Sequence, residues 1–350
     1  MVMIRMSAVW SFILVWCLAA DFSVASPGCY YTPDTGVDWT MDSLVVRSGG
    51  IVTGSAGEYV LHGTVYITSA DTVRIAPGST LIFDDTGGGY EFGGRGTLLA
   101  LGTAAQEILF TSYHGNPGDW FNVCPGRGAM NFCRIEYAAW GIVPDTASSI
   151  SHCTIWNNQR GITIYGGSPY VGYNVITNNQ FLGISVNNMP GWGSSPKIPC
   201  EPLIENNEII NNPDAGISIG CYTAARVKGN IIHGSDRGIT FYLVDQSIVA
   251  SNTITGNRIG VYCTDGSTPN LGDLANQDPG DDGGNQISGN IEHDLYNACM
   301  DTIQAEGNFW GTTDIPVIES HIFGPVDYIP LGETSVQQRT WGTIKSPYRR

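Results

Sequence analysis

The sequence predicts an all-β solenoid, a parallel β-helix built of coils of about 22 residues and interrupted by two loop insertions. Two repeated phrases and the composition carry this prediction. The phrase Asn-x-Ile recurs at Asn174, Asn207, Asn230, Asn252 and Asn285, with Cys133 and Cys153 in the Asn place upstream and Asn308 opening a degenerate last copy. A second phrase, Gly-Ile-x-Ile or a close variant, runs in phase from Gly161, Gly183, Gly216, Gly238 and Gly260. The chain of 350 residues holds 45 glycines and only 14% charged residues, which suits turn-rich β structure better than helices.

Each copy holds short stretches of alternating apolar residues, too short for helices and rich in β-branched side chains. Such a unit cannot bury its own apolar face, but stacked copies can, at about 4.8 Å per coil. Ile162/Ile164, Ile184/Val186, Ile217/Ile219, Ile239/Phe241 and Val261/Cys263 are then expected to stack inward. The Asn column at 174, 207, 230, 252 and 285 is expected to form an amide ladder that satisfies buried turn groups. The glycine opening each strand is expected to supply a positive φ at the bend.

Taken along the chain, residues 1–25 read as a secretory leader. Arg5 precedes an apolar run from Ala8 to Ala20, Asp21 ends that run well short of a membrane span, and Ser23 and Ala25 suit a signal peptidase. The expected product is exported, extracellular or at the cell surface, with the periplasm as an alternative. Residues 26–331 form the β-helix domain, with opening coils at about 50–120 and regular coils at about 130–310. Residues 332–350 break the pattern and carry Arg339, Lys345, Arg349 and Arg350, either as a sorting tag or as a plain tail.

At this point the chain resembles the right-handed parallel β-helix repeat proteins of the pectate-lyase-like superfamily, of secreted bacterial type. Besides the repeats, "DTVRIAPGSTLIFDDTGGGYEFGGRGTLLALGTAAQEILFTS" (71–112) looks like their opening coils and "AEGNFWGTTDIPVIESHIFGPVDYIPL" (305–331) like their closing segment. The resemblance implies a right-handed fold and leaves function open, because that scaffold hosts lyases, hydrolases, epimerases and adhesins. The Asp-Asp with His-Gly-His of polygalacturonase-like enzymes and the Asp-Pro-His-Glu of uronate epimerases are both missing from the sequence.

Function is expected where the copying is interrupted. The formal net charge of −16 argues against nucleic acid and anionic membranes. The insertions span 187–202 and 264–285, and both are expected to leave the same strand at the same end, three coils or about 14 Å apart. Trp192, Tyr165, Tyr222 and Tyr242 are the candidate sugar-stacking residues, although rings at such places also serve to cap turns. The favoured reading is a monomer that binds a polysaccharide or another surface polymer through this face, with no cofactor. A polysaccharide lyase or glycoside hydrolase acting between the loops is the first rival, with Asp245 and Asp265 as its candidate acids. A structural surface protein or adhesin is the second.

The outward residues of the Gly-Ile-x-Ile strand, Thr163, Ser185, Ser218, Thr240 and Tyr262, are uncharged, so no carboxylate pair is expected on that face. Asp273, Asp278, Asp281 and Asp282 offer oxygen ligands for Ca²⁺ without EF-hand spacing. Loss of Cys17 with the leader leaves eight cysteines. Among these, Cys200–Cys221 is the expected disulfide, stapling the first loop to the body.

Overall fold

The fold comes from a computed structural model that describes residues 28–84, 89–145, 147–188, 200–244 and 246–332. The expected leader, nearly all of the tail, Trp192 and Asp245 lie outside the described residues. The chain winds as a three-sided parallel β-helix. Each coil contributes one strand to sheet I (12 strands), one to sheet II (9 strands) and one to sheet III (11 strands). One coil thus runs Arg160–Tyr165, Tyr170–Gly172 and Val175–Thr177 before the next begins at Leu182. Strand pairing is parallel apart from the hairpin Val52–Ser55 with Glu58–Leu61 in the opening coils. Helix α1 (Met41–Arg47) buries Met41 and Leu44 near the start, and helix α2 (Ile315–His321) buries Ile318 near the end.

The repeat period sets what is buried. All ten aliphatic, aromatic and thiol side chains expected inward on the Gly-Ile-x-Ile strands are fully buried, from Ile162 to Cys263. Ile150, Val171, Ile204, Val227 and Val249 stack beside them from sheet II, and Ile155, Ile176, Ile209, Ile232 and Ile254 from sheet III. Parallel registry places like on like, so each column is a continuous apolar seam along the axis.

The amide ladder forms as expected at the corner between sheets II and III. The Asn174 N–H donates to Asn207 Oδ1 at 3.0 Å, Asn207 to Asn230 at 2.9 Å, Asn230 to Asn252 at 2.9 Å, and Asn252 to Asn285 at 3.0 Å. Asn285 continues to Asn308, and at the other end the Cys153 N–H donates to Asn174 Oδ1. Buried backbone groups that the corner removes from the sheets are satisfied in this way.

A second ladder, not foreseen from the sequence, lines the corner between sheets III and I. Asn158 donates to Asn179, Asn179 to Asn212, and Asn257 to Asn290. Ser235 interrupts this ladder in the coil between Asn212 and Asn257, and its Oγ is buried without a partner. The carboxylate of Asp294 ends it by accepting from Asn290 N–H and Nδ2.

The strand-opening glycines do not play the part expected of them. Gly161, Gly183, Gly216, Gly238 and Gly260 have no left-handed φ. They are glycine because a Cβ would collide: at Gly216 it would stand 2.6 Å from Ile232 Cγ2 and 2.8 Å from the Gly238 carbonyl oxygen. Left-handed backbone falls instead at the corners, on Phe132, His152, Tyr173 and Asn206 at one and on Asn157, Asn178 and Asn211 at the other. Asn tolerates that conformation, and the rings of Phe132, His152 and Tyr173 stack on one another at 5.0 and 5.4 Å.

Candidate functional site

The roots of the insertions lie at different corners, which corrects the expected two-walled cleft. The first begins after Leu182–Asn187, between sheets I and II. After Ile259–Thr264 the chain first fills the sheet II position, where Asn270 bridges Ile248 and Leu271 is fully buried. The extra residues follow at 272–283, at the corner between sheets II and III, where the Ser251 N–H reaches the Gly283 carbonyl. The sequence hid this because residues 267–271 lack the apolar alternation of the strand they replace.

The acidic residues of this second loop serve its own turns. Asp273 Oδ1 accepts from Ala275 N–H, Asp278 Oδ1 from Gly280 N–H, and Asp281 Oδ2 from the Asn270 and Asn276 amides. Asp273 and Asp281 come together around the Asn276 amide, which donates to Oδ2 of both, while Asp278 turns to its own loop backbone. Among the described residues no group of three or more His, Cys, Asp or Glu side chains is placed to hold a metal. Asp265 is exposed, in left-handed backbone at the corner between sheets I and II.

Cys200 and Cys221 are free, buried thiols rather than the expected bridge. The Ala224 N–H bonds the Cys200 carbonyl, so Cys200 stacks near Thr223 and Cys221 is out of register with it. Burial pushes the Cys200 thiol up to about 11.

The outward face of sheet I holds a different assembly. Tyr165 ends its strand 51% exposed, its ring 5.7 Å from that of Trp140, which in turn lies 4.8 Å from Phe121 and carries the Arg160 guanidinium at 5.8 Å. Tyr165, Asn187, Gly220 and Tyr242 form one column across successive coils. Tyr242 lies flat over Gly220, where an added Cβ would stand 1.9 Å from its Cζ, and accepts a hydrogen bond from Asn187 Nδ2. Burial raises the Tyr242 phenol and keeps it protonated. Tyr222 is 56% exposed at the adjoining corner, its carbonyl accepting from Asn188 Nδ2 at the root of the first loop. Three of the four candidate sugar-stacking residues thus share one edge of sheet I; the fourth, Trp192, lies outside the described residues.

Toward the opposite, leading end of the same strands is a cleft of about 310 Å³ lined by Leu182, Asp214, Ala215, Ser218, Asp236, Arg237 and Thr240. Asp214 and Asp236 immediately precede successive sheet I strands, Ala215–Gly220 and Arg237–Tyr242. The expectation that no carboxylate pair serves this face is therefore overturned. The two acids belong to the turn and not to the strand, which is why a reading confined to strand positions passed over them. The recoverable signal was Asp two residues before Gly in two successive copies, "DAGISIG" and "DRGITFY".

Asp236 is gripped by Arg258 at Oδ1 (2.5 Å) and Oδ2 (3.0 Å), and Arg258 also reaches Glu292. The Arg258 hydrogen bonds hold the Asp236 carboxyl below the usual carboxylate range, against the opposing effect of burial. The Arg237 guanidinium lies 4.6 Å over the Tyr262 ring, and a stack of Tyr262, Tyr296 and Phe323 continues beyond it. Thr163 and Thr240, outward but covered, each have a buried hydroxyl without a hydrogen-bond partner.

Residues 140–309 match the family described as right handed beta helix region. The chain is a right-handed parallel β-helix protein. Among solved structures, this β-helix is similar to the periplasmic alginate epimerase AlgG at 13% identity, over 84% of this chain and 82% of that one, with a TM-score of 0.38. A double mutant of AlgG aligns over the same shares at 12% identity with a TM-score of 0.45. Nothing of that enzyme's chemistry transfers at such similarity. No curated protein matches the chain. Among the described residues no helix is long and apolar enough to cross a membrane.

Proposed function

We propose that this β-helix binds a carbohydrate polymer along the outward face of sheet I, as an exported monomer. The observation that carries the reading is a trough with small, hydroxylated floor residues (Ser185, Ser218, Thr240) between two aromatic groups, Phe121/Trp140/Tyr165 and Tyr262/Tyr296/Phe323. From the Trp140 strand to the Tyr262 strand is five coil steps, or about 24 Å. That length suits an oligosaccharide better than a single ring. Aromatic faces pack on the C–H faces of sugars, while hydroxyl and carboxylate groups fix orientation.

A glycan array tests the reading. The full chain is expected to retain at least one oligosaccharide class, and Tyr165→Ala to weaken it about tenfold, or roughly 1.4 kcal/mol. No retention of any glycan would leave a structural role as the better account.

One observation favours a catalytic second reading. Asp214 and Asp236 lie on adjacent coils, about 4.8 Å apart in backbone, and both line the cleft; a pair of carboxyl groups is what glycoside hydrolysis uses. Release of reducing ends, or of unsaturated product absorbing at about 235 nm, would establish it; neither appearing with any retained glycan excludes it.

A further inference from the structure

We propose that the cleft beside Arg237 takes an uncharged, hydroxyl-rich sugar unit, so that the polymer recognised on sheet I is a neutral glycan and not a polyuronate or a sulfated one. This rests on the carbohydrate reading above and narrows it.

Two polar atoms on the cleft wall lack partners. Thr240 is 7% exposed and its Oγ1 makes no hydrogen bond, and Arg237 Nε is likewise buried and unbonded. The nearest charge to that Nε is Asp236 Oδ2 at 3.6 Å, beyond hydrogen-bond reach. Buried polar groups left open in this way are destabilising, and a bound ligand with matching groups removes that penalty. Thr240 and Arg237 both line the same cleft, so one ligand can stand against both side chains.

The remaining lining restricts what that ligand can be. Asp214 and Asp236 accept hydrogen bonds and donate none, and Asp236 is held ionised by Arg258. A sugar hydroxyl accepts from Arg237 Nε and donates to a neighbouring carboxylate at once, and vicinal hydroxyls extend this to Thr240 and Ser218. A ligand carboxylate or sulfate can only accept, so it would satisfy Arg237 while standing against Asp214 and Asp236. The charge balance opposes it too. The Arg258 cation is already shared between Asp236 and Glu292, and the face of Arg237 is covered by Tyr262. With Asp214, Asp236 and Glu292 against Arg237, itself paired to Asp236, and Arg258, the cleft and its surround are net negative in a chain of net charge −16. Its 310 Å³ is at the small end of ligand sites, roughly 300–1,000 Å³, which suits one ring of a longer chain.

Calorimetric titration of the full chain with cellohexaose, xylohexaose and mannohexaose, against hexagalacturonate and a sulfated hexasaccharide, decides the matter. A neutral hexasaccharide is expected to bind with an affinity that changes less than twofold between low and high salt. Asp214→Asn and Thr240→Val are each expected to weaken it about tenfold. Asp214 is exposed and Val matches Thr in shape, so both variants keep the fold; circular dichroism confirms this. Tighter, salt-sensitive binding of a charged hexasaccharide, strengthened by Asp214→Asn, overturns the neutral class while sustaining carbohydrate binding. Neutral binding untouched by both substitutions overturns the cleft as its seat. Failure of every hexasaccharide to bind overturns the carbohydrate reading itself.

Discussion

Replacing Asn230 by Ala removes one rung from the middle of the first amide ladder, and its cost follows from the bonds lost. Asn230 Oδ1 accepts from both the N–H and the Nδ2 of Asn207, each at 2.9 Å. Its Nδ2 donates to the Ile204 carbonyl at 2.9 Å and to Asn252 Oδ1 at 3.0 Å. After substitution Asn207 Nδ2 still has the Val171 carbonyl, and Asn252 Oδ1 still has the Asn230 N–H. The Asn207 N–H and the Ile204 carbonyl lose these partners in a fully buried site. At about 1–3 kcal/mol for each orphaned group, and with a small cavity added, the expected loss is about 3–5 kcal/mol. Urea unfolding followed by circular dichroism measures it, with Ile231→Ala, half-exposed on the outer surface, as the comparison. Because solenoids can unfold coil by coil, exchange of the Asn207 amide is the local readout. A loss below about 1 kcal/mol with Asn207 still protected would refute the ladder as a source of stability.

Two further substitutions probe the second ladder. Ser235→Asn supplies the missing amide between Asn212 and Asn257 and is expected to stabilise by about 1 kcal/mol; a lowered unfolding midpoint would show that the corner has no room for it. Asp294→Asn should alter the pH dependence of stability. Burial raises the Asp294 carboxyl despite the bonds from Asn290 and the nearby His321 and His293. The folded chain therefore holds that proton more tightly than the unfolded chain. The resulting stability is full below the unfolded value of about 3.9 and is lost as pH rises through the raised folded value. Urea midpoints of the parent should fall relative to those of Asp294→Asn across that window, and parallel profiles would contradict it.

The fold was legible because a solenoid writes its period into the sequence. Ile209, Ile217 and Ile219 are buried and Asn207 is laddered because each must match the residue one coil away, so the phrase "NEIINNPDAGISIG" records a stacking constraint. What the period could not convey is why a given residue is tolerated. Gly216 reads equally well as a bend or as a close contact, and only the position of Ile232 decides between them. The second ladder was present in Asn158, Asn179 and Asn212, but these follow αL corner residues that are often Asn themselves, so two structural uses of Asn merged into one pattern. The site was less legible still. Tyr165, Tyr222 and Tyr242 stand out in the sequence because rings at or just past strand ends break the repeat. Asp214 and Asp236 were missed because a turn position gains its meaning from the strand beside it.

The position of the cleft follows from the same registry that builds the core. Down the sheet I strands, the outward column Ser185, Ser218, Thr240, Tyr262 and Tyr296 changes from small to large. The strand Ala215–Gly220 carries the smallest outward set, Ala215, Ser218 and Gly220, between Leu182 on one neighbouring strand and Arg237 and Tyr242 on the other. The cleft is thus a local shortage of side-chain volume on one coil, framed by larger residues in register. Since the same column accepts Tyr at 262 and 296, Ser218→Tyr should fit there without disturbing the interior, with stability changing by less than about 0.5 kcal/mol. Its ring would occupy the floor beneath Asp214 and Arg237 and is expected to weaken oligosaccharide binding at least about a hundredfold, or roughly 2.7 kcal/mol. Unfolding midpoints and calorimetric titration on the same sample separate the two effects. Undiminished binding in a correctly folded Ser218→Tyr chain would move the site off this cleft and onto the aromatic edge alone.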